Sequence, residues 1–120
     1  MGFDFNKLSY FEIRGSDYEK SKQFYLSLFD WKIERSWGDQ PYGIIHLGDG
    51  QEGGLEQAAQ GRSPRVIFYF AVDDIDATLS AVEKAGGKIL NPKTLITEEY
   101  GYYATFSDPD GNVIGLSSKS

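Results

Sequence analysis

A chain of 120 residues with 40% apolar and 15% aromatic content is long enough for one packed domain and too short for two independent ones. A formal charge of −6 and a pI near 4.7 argue against non-specific nucleic-acid binding, which needs clustered Lys and Arg. Zero cysteines exclude disulfides, thiolate metal sites and a Cys nucleophile, and no apolar run approaches the roughly 18 residues of a membrane span.

In chain order, the first element is a strand around Tyr10. Phe11 and Ile13 share one face, and Tyr10, Glu12 and Arg14 the other. Ser16-Asp17-Tyr18-Glu19 has the Ser-x-x-Glu spacing of a capping box. The helix behind it carries Tyr18, Ser21, Tyr25 and Leu28, with Phe24, at helical spacing, and stops near Phe29-Asp30. Trp31 to Arg35 reads as a second strand, Tyr42 to Leu47 as a third and Gly54 to Gln57 as a fourth, with the turn-rich Gly48 to Gly53 before the last. The small, polar run Ala58 to Pro64 reads as a linker.

The second half repeats the plan. Val66, Phe68, Phe70 and Val72 form one strand face, and Ile67, Tyr69 and Ala71 the other. Asp73 or Asp74 caps a helix with the stripe Ile75, Leu79, Val82 and Ala85, closed by Gly86-Gly87. Lys88 to Leu90, Tyr102 to Phe106 and Asn112 to Ser117 are strand candidates. The last two are joined by Asp108-Pro109-Asp110-Gly111-Asn112, a turn with Pro and Gly at suitable places. A shift of 57 residues lays Asp17 on Asp74 and Tyr25 on Val82, so the period of the structure itself is duplicated. The expected fold is α+β: two tandem βαβββ modules forming a cleft between curved mixed sheets. Module one spans about 8–58, the linker about 59–65 and module two about 66–118 of one domain covering 1–120.

This organisation resembles the vicinal oxygen chelate superfamily, which includes glyoxalase I, extradiol dioxygenases, fosfomycin-resistance enzymes and bleomycin-binding proteins. The resemblance rests on Phe11-Glu12-Ile13 leading into Ser16 to Lys20, on Phe24-Tyr25 and Leu28 to Trp31, on Val72 to Asp76 with Ala85-Gly86-Gly87, and on Asp108 to Asn112. It runs from about Leu8 to Leu116 and looks most like the small glyoxalase-like proteins. Metal-using members place His or Gln, Glu, His and Glu on pocket-facing strand positions, where a divalent ion polarises neighbouring substrate oxygens. The resemblance puts those positions at Tyr10, seven residues before Asp17, at Ile67 in the second half, and at Gly115, four residues past Gly111. Glu56 is the one remaining candidate ligand, within about a residue. Ile and Gly offer no side-chain donor, and one carboxylate falls short of the three or four protein groups a catalytic ion needs. No metal cofactor is therefore expected.

Several side chains could serve a ligand instead. His46, the only histidine, is expected to point with Ile44 into the cleft, either as a base or donor or as a strand histidine beside a turn. Glu12 reads as a carboxylate of raised pKa or as the ion-pair partner of Arg14, Arg35 or a lysine. Glu56 is equally a half-exposed strand carboxylate. Tyr10 and Tyr69, with Trp37, Tyr102 and Phe106, line a ring-rich pocket or fill the interface between modules. The Gly-rich run Gly48 to Gly54 precedes a strand and so lacks a phosphate-cradling context, and no Gly-x-Ser-x-Gly elbow is present.

Three functions compete. The first is metal-independent binding of a small organic molecule in the cleft, through Tyr10, Glu12, His46, Ile67, Tyr69 and Gly115. The second is a glyoxalase-type lyase or isomerase using Glu56 and His46, or Glu12 and His46, with or without a divalent ion. The third is a structural or dimerisation domain. A homodimer is expected from the resemblance. With no basic-then-apolar signal pattern at Met1 to Lys7, a soluble cytoplasmic protein with no nucleic-acid or membrane partner is expected.

Overall fold

The computed structural model describes residues 5–36, 41–59 and 61–120. Trp37, one of the expected pocket rings, lies outside them. The chain divides into two compact units, Tyr10–Ile67 and Phe68–Ser120, the second joined by the described residues before Tyr10. They are referred to as module one and module two.

Module one contains β1 (Leu8–Gly15, from Tyr10 onward), α1 (Tyr18–Leu28), β2 (Lys32–Arg35), β3 (Tyr42–His46) and β4 (Glu52–Gln57). Its strand order is β2-β3-β4-β1. The two long-range partners β1 and β4 run parallel, and the other pairs are antiparallel. A parallel pair cannot be closed by a hairpin, and α1, β2 and β3 supply the crossover. Asp17 caps α1, its carboxylate accepting from the Lys20 amide at 3.2 Å. The cap is therefore Asp17 and not Ser16, the start of the expected capping box, because Asp17 is the extended residue immediately before the first helical turn.

The core of module one lies between α1 and its sheet. Tyr18, Ile33, Ile45 and Leu55 are buried there, with Phe11, Ile13, Tyr25, Leu26, Trp31 and Leu47 packed around them. Each fully buried aliphatic side chain is worth about 1.5–3 kcal/mol relative to exposure. Phe24 and Leu28, expected on the inward stripe, are both 58% exposed, and Leu26 packs inward instead. The helix is rotated so that Tyr18, Tyr25 and Leu26 share the buried side.

Module two contains β5 (Arg65–Ala71, from Phe68 onward), α2 (Ile75–Lys84), β6 (Lys88–Thr97), β7 (Gly101–Ser107) and β8 (Val113–Ser118), in the order β5-β8-β7-β6. Again the first and last strands are parallel and β6-β7-β8 antiparallel. Asp74 caps α2. Gly86 adopts φ +99°, letting the amides of Gly86 and Gly87 reach back to Glu83 and Val82 carbonyls and close the helix. Val72, Ile75, Leu79, Ala104 and Leu116 form the core, with Ile89, Tyr102 and Phe106 against it. Strand β6 is much longer than the expected Lys88–Leu90. It is the outermost strand of its module, and its register shifts accommodate Pro92, which has no amide to donate. The Asp108 carboxylate accepts from the amides of Asp110 and Asn112 and from the Asn112 side chain, which holds its pKa below the usual range and fixes the β7–β8 turn. Among the described residues no helix is long and apolar enough to cross a membrane.

Candidate functional site

Period-two alternation divides each strand of module one between two faces. Ile33, Ile45, Leu55 and Ile13 face α1, so Glu34, Ile44, His46, Gly54, Glu56, Tyr10, Glu12 and Arg14 occupy the other face. The register lines them up in rows. Glu12 pairs with Gly54, Gly54 with Ile44 and Ile44 with Glu34; in the next row Arg14 pairs with Glu56 and Glu56 with Tyr42.

At the centre of this face the Tyr42 hydroxyl reaches across β4 toward β1. It donates to Glu12 Oε2 at 3.0 Å and lies 2.7 Å from the Tyr10 hydroxyl. Tyr42 has one proton, and it goes to Glu12, so Tyr10 is the donor in the second contact. The result is a directed relay, Tyr10 to Tyr42 to Glu12. Gly54 makes it possible. A Cβ there would collide with the Tyr42 hydroxyl and would lie 2.7 Å from that of Tyr10.

The electrostatics follow from burial. Glu12 has its pKa raised, first by desolvation and then by the charge of Glu56, with the Tyr42 hydrogen bond, Arg65 and Arg14 opposing. Tyr42 is pushed far above the ordinary phenol range, again chiefly by burial, then by Glu12 and Tyr10. It therefore remains a protonated donor. Arg14, 7% exposed, pairs with Glu56 at 3.0 Å and not with Glu12. Of the alternatives open for Glu12, a raised pKa or an ion pair with Arg14, Arg35 or a lysine, the Arg14 salt bridge is not formed.

His46 sits on the same face but not in this group. Its Nδ1 lies 3.1 Å from Glu52 and its Nε2 3.7 Å from Glu34. The expected pairings of His46 with Glu12 or Glu56 are not among its contacts. Tyr102 and Phe106, offered as pocket rings, share the face of Ala104 and pack into the helix-side core of module two. Period-two alternation dictates it.

The metal-ligand positions of the resemblance can be tested one by one. The Tyr10 hydroxyl is engaged by Tyr42. Ile67 is fully buried hydrocarbon. Gly115 pairs with Tyr69, whose ring lies against it and fills the space where a side chain would project. The fourth position requires a correction. The 57-residue shift carries Glu12 to Tyr69; Glu12 pairs with Gly54 as Tyr69 pairs with Gly115. The counterpart of Gly115 is thus Gly54, and Glu56 corresponds to Ser117. Glu56 is instead the partner of Arg14. The four positions hold Tyr, Gly, Ile and Gly, which do not fit a divalent ion. Among the described residues no group of three or more His, Cys, Asp or Glu side chains is arranged to hold one.

Sequence reading missed Tyr42, Arg65, Glu34 and Glu52. Tyr42 was legible only as the start of a strand. What marks it is its parity with Ile44 and His46 together with a glycine on the neighbouring strand, and that pairing emerges only from the register.

The model of the Glyoxalase/Bleomycin resistance protein/Dioxygenase superfamily matches residues 7–116. The chain is 29% identical over 112 residues to "Putative glyoxylase CFP32" of Mycobacterium bovis, covering 88% of this chain and 42% of that protein. It thus spans less than half the length of this mycobacterial relative. A "Glyoxylase-like domain-containing protein" of Didymella fabae is 28% identical over 120 residues, with 94% of each chain covered. Among solved structures, methylmalonyl-CoA epimerase from Mycobacterium tuberculosis superposes with a TM-score of 0.72 at 14% identity, covering 97% of this chain and 89% of that one. That is a likeness of fold.

Proposed function

The chain belongs to the Glyoxalase/Bleomycin resistance protein/Dioxygenase superfamily, and we propose that within it this protein binds a small organic molecule without a metal ion. The ligand sits on the face of module one turned away from α1, over Tyr10, Glu12, Tyr42 and Ile44. One observation carries the reading: at Gly54, a ligand position of metal-using relatives, the space belongs to the Tyr42 hydroxyl on its way to Glu12. The same residues that deny a cation its donors build a fixed hydrogen-bonding group beside apolar surface, the composition of a small-molecule site. The lyase or isomerase reading loses support because His46 is engaged by Glu34 and Glu52, apart from Glu12. A cytoplasmic homodimer is the setting this reading takes, and light scattering on the purified protein checks the assembly.

A thermal-shift screen of small uncharged organic compounds, with chelator and divalent-metal arms, tests the proposal. A bound ligand stabilises by mass action, about 2.7 kcal/mol at one hundred times its Kd. The expected result is stabilisation by one or more compounds, weakened in Tyr42→Phe, and no change with chelator. Saturable stabilisation by a divalent ion that depends on Glu12 or Glu56, with no organic compound acting, contradicts it.

A further inference from the structure

The direction of the hydrogen bonds on module one says what kind of molecule fits there. The proton of Tyr10 is committed to Tyr42, and that of Tyr42 to Glu12. Glu12 Oε2 takes the second, and among the described residues no hydrogen bond to Glu12 Oε1 accompanies it. The Glu12 side chain is half-buried, yet Oε1 is not sealed from solvent, so an incoming donor can reach it. The group therefore meets a ligand with an acceptor and with no proton to give.

Resting on the reading above, we propose that this face selects neutral hydrogen-bond donors, small flat molecules carrying an N–H or O–H that is given to Glu12 Oε1, and rejects anions and molecules offering only acceptors. A carboxylate ligand would meet Glu12 and Glu56 with like charge and no donor. A cation is disfavoured because the guanidinium groups of Arg14 and Arg65 already act on Glu12. Ile44 and the Tyr42 ring, beside Glu12 and Gly54, supply surface for the body of the molecule.

Titration sharpens this. The groups acting on Glu12 are Glu56 on β4, Tyr42 on β3, Arg65 at the start of β5 and Arg14 on its own strand, while Tyr10 acts on Tyr42. The balance, led by burial, raises the Glu12 pKa. Below that pKa the carboxyl carries its own proton and becomes a donor, so preference for donor ligands disappears as pH falls through it.

The test compares benzamide, N,N-dimethylbenzamide, benzoate and benzamidinium by titration at pH 8 against wild type, Glu12→Gln and Tyr42→Phe. Benzamide is expected to bind wild type about tenfold more tightly than its dimethyl analogue, the loss of one hydrogen bond partner. Benzoate should be weakest. In Glu12→Gln the amide oxygen takes the Tyr42 proton and the amide nitrogen turns outward as a donor, so the order reverses toward dimethylbenzamide and benzoate. Tyr42→Phe weakens all the probes but keeps the wild-type order, because Glu12 is still an acceptor. Equal binding of benzamide and its dimethyl analogue, a preference for benzoate or benzamidinium, retention of the wild-type order in Glu12→Gln, or no binding by any probe overturns the inference. Equal binding that Tyr42→Phe weakens leaves the small-molecule reading standing, whereas dependence on a divalent ion removes both.

Discussion

Module one and module two share a backbone plan and differ in the chemistry of their helix-free faces. Each places a glycine opposite its first strand, Gly54 across from Glu12 and Gly115 across from Tyr69. In module one the space over the glycine is taken by hydroxyls, arriving from Tyr42 on β3 and Tyr10 on β1. In module two it is taken by the ring of Tyr69 itself. The neighbours follow suit. Around Gly54 are Glu12, Glu56 and Arg14; around Gly115 are Thr105, which accepts from Asn91 at 2.7 Å, and Ser117, 2.8 Å from Ser9. The duplicated sheet supplies two equivalent positions, and one tyrosine placement keeps polarity where the other replaces it with hydrocarbon. The helix-side cores, by contrast, remain alike: Leu55 is matched by Leu116 and Tyr18 by Ile75.

The largest effects should fall on what the modules share. Leu55→Ala and Leu116→Ala should each cost about 2–5 kcal/mol in chemical denaturation, as buried leucines do. If one is tolerated, the cores are not equivalent. Next come the glycines. Gly115→Ala drives a Cβ into the body of the Tyr69 ring and should cost about 1–3 kcal/mol by overpacking. Gly54→Ala meets only the ends of two tyrosines, which can swing aside, so it should cost about 1 kcal/mol or less while removing ligand-dependent stabilisation. Equal costs would dissolve the contrast drawn above.

Comparable to Gly54→Ala is Tyr42→Phe, about 0.5–1.5 kcal/mol for the lost hydrogen bond. The smallest is a pH effect. Glu12 binds its proton more tightly folded than unfolded, so its ionisation opposes folding from the ordinary carboxylate range up through the raised pKa. Glu12→Gln should therefore be as stable as wild type, or more so, at neutral pH, with the advantage vanishing near pH 4. Melting curves across pH 4 to about 8 measure it. An advantage that grows toward acid would contradict the assigned burial.

How much of this was legible beforehand depended on range. Alternation divided Tyr10, Glu12 and His46 from their neighbours, the 57-residue shift located Ile67, and the spacing from Gly111 located Gly115. Cap chemistry was legible to within a residue at Asp17 and Asp74. What failed was pairing across strands. Glu56 was set at a ligand position because the turn before β4 obscured the register; two residues of shift along one strand separate it from Gly54. The Arg14–Glu56 pair was out of reach for the same reason, since Glu12 is near Arg14 in sequence and Glu56 is near it in the sheet. Phe24 and Leu28 fit a helical period yet face outward, because periodicity locates a stripe without fixing its phase against the sheet.

On the function proposed here, a tyrosine hydroxyl over Gly54, and not a divalent ion, organises the helix-free face of module one. The most direct measurement is the metal content of gently purified protein, with melting temperature recorded before and after chelation. A substoichiometric metal content and an unchanged melting temperature are predicted. One tightly bound ion per chain, whose removal lowers the melting temperature and whose binding is lost in Glu12→Gln or Glu56→Ala, would contradict the account.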